Sequence, residues 1–421
     1  MSIRKEVLRN GLTVVTESMS HVRSVSVGIW IRSGSRHETA AQNGISHFIE
    51  HMLFKGTNTR SAEDIATAID SIGGQLDAFT TREYVGFYAK ILDEYLEAAF
   101  ALLADIVLRP AFPDAEVEKE RNVIFEEINM VEDSPQELVH EVFTEAFWRG
   151  HPLGRPIAGT KKSVGRLRRA DIAEYFARCY VPDNMVVVAA GRLRHEKLVR
   201  LVERHFGSLR GAAGPNGHAV APRARAHVTR RDKEKLEQTH ICLGTGAPAA
   251  TSEARYAAHL LNNILGGSLS SRLFQNIREK RGLVYAIFSG LGLYSDAGHL
   301  TIYAGTGAKT AGTVIELILA ELRRVRSSDI TEAELRRAKD NIKGSIVLSL
   351  ESTSSRMSNL AQQELYFRRQ STIDQAIRRI EAVSLGAVRD LAHELFDRRR
   401  LGLTVLGNLN GMSVGRRLLK V

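Results

Sequence analysis

At 421 residues the chain is too long for one ordinary core, so two domains of about 200 residues are expected. The net charge of +10 raises nucleic acid as a partner. That class is excluded because the arginines are dispersed over helix faces such as 322–326 and 377–381, aromatics do not interleave with them, and no nucleic-acid motif is present.

Met1 to Val7 leads almost at once into a strand-like segment, 11–17. This start lacks the apolar core of a secretory signal and is too short for a transit peptide, so the bacterial cytoplasm is the expected location. No apolar run is long enough to span a bilayer, which excludes a membrane protein of helical type. A second β-rich segment, Val25 to Ile31, precedes the most informative stretch, His47-Phe48-Ile49-Glu50-His51. Helix positions i and i+4 share a face, so His47 and His51 can point at one ion, and Glu50 is close enough to reach a water on it. His-x-x-Glu-His is the inverted form of the common zinc-peptidase motif. Short motifs arise by chance, but Ile45, Phe48, Ile49, Met52, Leu53 and Phe54 surround this one. Much of the helix must therefore be buried, and buried histidines and carboxylates need partners or a metal.

Residues 73–84 alternate apolar and polar side chains and continue into Tyr84 to Ile91, predicting a pair of strands. Catalytic zinc takes a third protein ligand. The next candidates lie in the helix-forming run that starts at Pro113-Asp114, where Glu120 and Glu127 lie two turns apart beside Val123, Ile124 and Ile128. Glu116, Glu118 and Glu126 read as solvated charge. The Gly/Pro-containing and basic stretch 207–236 has linker chemistry, dividing the chain into 1–210, a linker 211–236, and 237–421. Cys179 and Cys242 form no paired motif, which excludes a disulfide framework and points to a reducing compartment. Each half alternates strands and helices, predicting an α+β fold of two domains, each a largely antiparallel sheet with helices on one face.

Taken together, these segments resemble the pitrilysin family of zinc metallopeptidases, and within it the mitochondrial processing peptidase and its bacterial relatives. The resemblance covers nearly the whole chain. It implies that Glu127, in Val123-Ile124-Phe125-Glu126-Glu127, is the third ligand of one Zn²⁺ per chain, and that Glu120 supports catalysis. It also implies that Asp77, Ala78, Phe79 and Thr80 lie on an edge strand that receives peptide substrate by strand addition. The family usually carries Asn at the position of Asp77. In Arg278-Glu279-Lys280-Arg281-Gly282-Leu283-Val284-Tyr285 it implies that Arg278 and Tyr285 are donors to a developing oxyanion.

The two halves can be laid over each other. His47, Glu50 and His51 fall on Ala258, Leu261 and Asn262, and Glu120 and Glu127 fall on Ala338 and Ser345. Every candidate ligand and base is absent from the second copy. The expected function is a zinc-dependent endopeptidase that cleaves short or unfolded peptides in a chamber of two subunits, with a homodimer as the simpler assembly. A non-catalytic binding or assembly subunit of the same fold is the rival from another class. A purely structural zinc is a further rival, and it would call for four donors rather than three.

Overall fold

The computed structural model describes residues 3–211, 221–397, 399–409, 415 and 419. Within the expected linker, 212–220 lie outside the described residues. The chain divides into two compact units, one of Met1–Asn129, Arg155–Ala219 and Leu348–Gln370, the other of Met130–Gly154, Val220–Val347 and Ser371–Val421.

Six strands build the first unit's sheet: β1 (Ile3–Val7), β2 (Thr13–Ser18), β3 (Ser24–Ile31), β4 (Gln75–Thr80), β5 (Val85–Leu92) and β6 (Met185–Gly191). Their order is β1-β2-β6-β3-β5-β4, antiparallel throughout except for the parallel pair β2 and β6. The second unit has β7 (Val228–Asp232), β8 (Gln238–Ala247), β9 (Val284–Leu293), β10 (Gly298–Gly307) and β11 (Gly402–Gly407). Here the order is β7-β11-β8-β10-β9, and only β7 and β11 run parallel. Five strands of the first sheet thus repeat in the second with the same single parallel pair in the same place. The α+β class, two sheets packed against helices, is as the sequence indicates.

Covering on one face only is not what these strands require. β6 reads Met-Val-Val-Val-Ala-Ala-Gly and is buried along its length, the pattern of a strand covered on both sides. Val187 and Ala189 face a core shared with Ile45, Phe48, Ile49 and Met52. Val186 and Val188, with Val15 and Trp30, face Met357, Leu360 and Ala361 from the helix Thr353–Phe367. The second sheet is treated alike. Ile241, Leu243 and Val405 join one core, whereas Cys242, Tyr303 and Leu406 pack on Leu138, Val139, Phe143 and Phe147 of the helix Pro135–Phe147. Each sheet's second face is therefore closed by a helix from the opposite half of the sequence. For that reason the compact units differ from the single cut at 211–236: the segments 130–154 and 348–370 are exchanged. Among the described residues no helix is long and apolar enough to cross a membrane.

Candidate metal centre

The motif helix, Ile45–Leu53, buries Ile45, Phe48, Ile49, Met52 and Leu53 and turns His47, Glu50 and His51 to its half-exposed side. This is the amphipathic outcome of the sequence pattern: the apolar positions bind the helix to the sheet and leave the three polar residues on the remaining face. A second helix, Asp114–Asp133, anchors through Val117 and Ile124 and brings Glu120 and Glu127 to the same place. Glu116 and Glu118 pair with Lys119 and Arg121, and Glu126 is exposed, so these three are surface charges as read from the sequence.

Glu127 meets both histidines. Its Oε2 lies 3.5 Å from His47 Nε2 and its Oε1 3.6 Å from His51 Nε2. One ligand atom from each of the three residues lies within 4.8 Å of the others. Donors around tetrahedral zinc at about 2.1 Å are separated by about 3.4 Å, so the spacing fits such an ion. The donor chemistry fits too. Burial, with the neighbouring His51 adding to it, pushes the His47 pKa down to about 4, which keeps the imidazole neutral and able to ligate.

Glu120 does not join the cluster. Its buried carboxylate accepts the His51 Nδ1–H at 3.1 Å and pairs with Lys55 Nζ at 2.7 Å. A carboxylate only accepts, so this bond puts the His51 proton on Nδ1 and leaves the Nε2 lone pair directed at Glu127. The arrangement is a carboxylate–imidazole pair of the kind that orients metal ligands. His47 has no such partner: among the described residues its buried Nδ1 lacks a hydrogen bond.

Glu50 lies beside the cluster. Burial raises its carboxyl pKa, opposed by a hydrogen bond from the Thr80 hydroxyl to Oε2. Thr80 ends β4, the last strand of its sheet, which pairs with β5 alone among the described strands. Phe79 packs edge-on against Tyr84, and Asp77 accepts bonds from Tyr88 OH at 3.1 Å and from the Ala78 N–H at 2.8 Å. Asp77 to Thr80 thus lie on the outermost described strand of the sheet, and the last of them is tied to Glu50, beside the His47, His51 and Glu127 cluster. Arg278 and Tyr285 belong to the second unit. Arg278 lies in a π-helical turn, Phe274–Glu279, with its guanidinium 4.9 Å from the Phe274 ring, and Tyr285 is 79% exposed on β9, an edge strand.

Sequence reasoning missed Lys55 as a partner of Glu120 and the attachment of Thr80 to Glu50. The first had a local signal, since Lys55 follows His51 by one helical turn. The second is a contact across 30 residues and had none.

Comparison with known proteins identifies two matching family profiles: insulinase, peptidase family M16, over residues 13–161, and the peptidase M16 inactive domain over 166–342. An uncharacterized zinc protease of Bacillus subtilis is 42% identical over 394 residues, covering 94% of this chain and 96% of that one. One from Mycobacterium leprae is 42% identical over 406 residues, covering 96% and 91%. Among solved structures, a protease from Helicobacter pylori superposes with a TM-score of 0.90 at 23% identity, covering 96% of this chain and 99% of that chain. A peptidase M16 inactive domain from Pseudomonas fluorescens gives 0.90 at 20% identity, covering 97% and 98%.

Proposed function

We propose that this chain, which belongs to the insulinase-type peptidase family M16, is an endopeptidase whose His47, His51 and Glu127 hold one Zn²⁺. The observation that carries the reading is the convergence of those three donors beside a carboxylate, Glu50, that is not among them. Three protein donors leave one place open, as catalytic rather than structural zinc sites do. When bound, the ion supplies a Lewis acid and lowers the pKa of a water.

The protein's own residues supply the rest. Glu50 takes a proton from the attacking water and returns it to the leaving nitrogen. Its raised pKa brings it closer to the value at which one group can do both near neutral pH. Glu120 holds His51 in one tautomer and orientation. The open edge at Asp77–Thr80 accepts an extended peptide through backbone bonds, which suits short or unfolded substrates, presequence-like peptides or oligopeptides, with loose sequence demands. Arg278 and Tyr285 act as donors to the developing oxyanion; the exposure of Tyr285 leaves its hydroxyl available for this. A second copy completes a chamber around the peptide, and the site of action is the bacterial cytoplasm, in keeping with bacterial relatives and two unpaired buried cysteines.

Zinc content, measured with cleavage of a quenched unstructured basic peptide, tests this in wild type and Glu50→Gln. Zinc in both proteins with turnover only in the wild type is the expected result, since base assistance is worth roughly 10²–10⁴ in rate. Cleavage by zinc-loaded Glu50→Gln would remove Glu50 from the mechanism. Zinc without cleavage in either would favour a binding or assembly subunit.

A further inference from the structure

Glu38 is fully buried, and no role assigned above uses it. Its Oε1 accepts the Ser46 N–H at 2.9 Å, and its Oε2 accepts the Gly44 N–H at 2.8 Å and the Asn43 Nδ2–H at 3.1 Å. Gly44 is the N-cap of the motif helix and Ser46 is in its first turn, so a carboxylate from a preceding loop is satisfying the free N–H groups of that helix.

The helix has no closer source of a cap. Gly44 carries no side chain, and no side-chain cap bond is made from its position. Nor could a Ser or Asp stand there: φ is +97°, and a Cβ would lie 2.7 Å from the Ala158 carbonyl oxygen. The cap therefore comes from six residues upstream, and its origin is itself fixed. The Glu38 carbonyl accepts Arg155 Nη1 at 2.8 Å, and the Asn43 amide also donates to the Pro156 carbonyl at 3.0 Å.

We infer that Glu38 is a positioning residue for the metal centre: by gripping the first turn of the Ile45–Leu53 helix it sets that helix's depth and rotation, and with them the convergence of His47 and His51 on Glu127. The inference rests on the zinc reading given above. A nine-residue helix is too short to hold itself in water. His47 follows Ser46 directly, so the grip acts within one residue of the first donor. Ligand sets tolerate only about 0.5 Å and 10–20° of misplacement. Glu38 bonds the backbone of Gly44 and Ser46 rather than a donor side chain, so its effect reaches the site through the backbone.

The test is zinc affinity, measured by competition with a chromophoric chelator in wild type, Glu38→Gln and a control, Glu17→Gln. Glu17 lies on β2 and pairs with Arg356, so losing its charge disturbs a buried bond that is not on the motif helix. A glutamine at 38 presents an NH₂ group to one of the helix N–H donors. Both variants lower the thermal unfolding midpoint. Only Glu38→Gln is expected to weaken zinc binding by about tenfold or more, the effect of losing a group that orients a metal ligand. If Glu38→Gln does not fold, Asn43→Ala, which removes one donor from the same carboxylate, is expected to weaken zinc by about threefold. Zinc binding within about twofold of wild type in the folded variant overturns the inference, as does an equal loss in Glu17→Gln. A wild type that takes up no zinc overturns the metal site itself, and this inference with it.

Discussion

Replacing Glu120 by Gln separates orientation of a ligand from ligation itself. In the wild type the buried carboxylate receives the His51 Nδ1–H at 3.1 Å and Lys55 Nζ at 2.7 Å. Glutamine keeps the length and one acceptor oxygen, so the His51 bond can persist as a neutral one. Hydrogen bonds to charged groups contribute about 1.5–3 kcal/mol and neutral ones about 0.5–1.5, a difference of about 1–1.5 kcal/mol. The Lys55 pair adds little, because that side chain is 31% exposed and solvent takes over its charge. About 1.4 kcal/mol is tenfold, so Glu120→Gln is expected to weaken zinc about tenfold, within the 10–100-fold range for such partners. Chelator competition measures the first quantity, and kcat/KM at saturating zinc measures what remains. Lys55→Met alone is expected to change zinc affinity less than Glu120→Gln does. An affinity within twofold of wild type in Glu120→Gln would refute the tautomer argument. A loss as complete as that of a deleted histidine would instead make Glu120 a ligand.

Two further outcomes follow from burial. Glu38 is pushed up from 4.5 to about 7 by burial, against hydrogen bonds from Ser46, Gly44 and Asn43. Between those values the folded protein holds a proton that the unfolded chain releases, so the contribution of Glu38 to stability is full below about pH 4.5 and is lost as pH rises through about 7. The linked change is about 3 kcal/mol, and the advantage of zinc-stripped wild type over Glu38→Gln in urea unfolding should shrink by that order from pH 4.5 to 8; a pH-independent difference would refute the shift. Separately, a fragment of residues 1–211 lacks the helix Thr353–Phe367 and leaves Val15, Trp30, Val186 and Val188 uncovered. It is expected to aggregate, and a soluble monomer with a cooperative melt would contradict the exchanged packing.

What could be read from the sequence was what is local. The spacing of His47 and His51 and the apolar residues around them fix a helix with two donors on one side, whatever lies beyond it. Glu127 is 76 positions after His51 (127 − 51), and the pattern of its helix left Glu120 equally eligible. Family resemblance, not periodicity, separated them. The Glu38 cap and the attachment of Thr80 to Glu50 were invisible because they lie in through-space bonds, three to a loop carboxylate and one from a strand end, that no periodicity signals. The exchanged helices were hidden for a related reason: Leu138, Val139 and Phe143 announce an apolar face, but nothing in that face names the sheet it will cover.

The second unit bears on why the first carries the His47, His51 and Glu127 cluster at all. The helices Arg255–Leu265 and Glu332–Ser349 fall on the motif and carboxylate helices in the sequence repeat, and they follow the corresponding strands in the chain. Where the first pair presents His47, His51 and Glu127, this pair has Ala258, Asn262 and Ser345, and the two helices are joined by an Asn263–Asn341 hydrogen bond of 2.8 Å. Arg272 adds a two-pronged bond to Glu334 at 2.7 and 2.8 Å. The same strand order and the same helix pair are therefore held without donors for a metal. In the second unit a side-chain hydrogen bond joins the helix pair. The neutral His47 and the Glu50 carboxyl are polar groups held at a cost in desolvation, and stability gives no reason to keep them there. The zinc site proposed above supplies a reason, with three donors and one place left open.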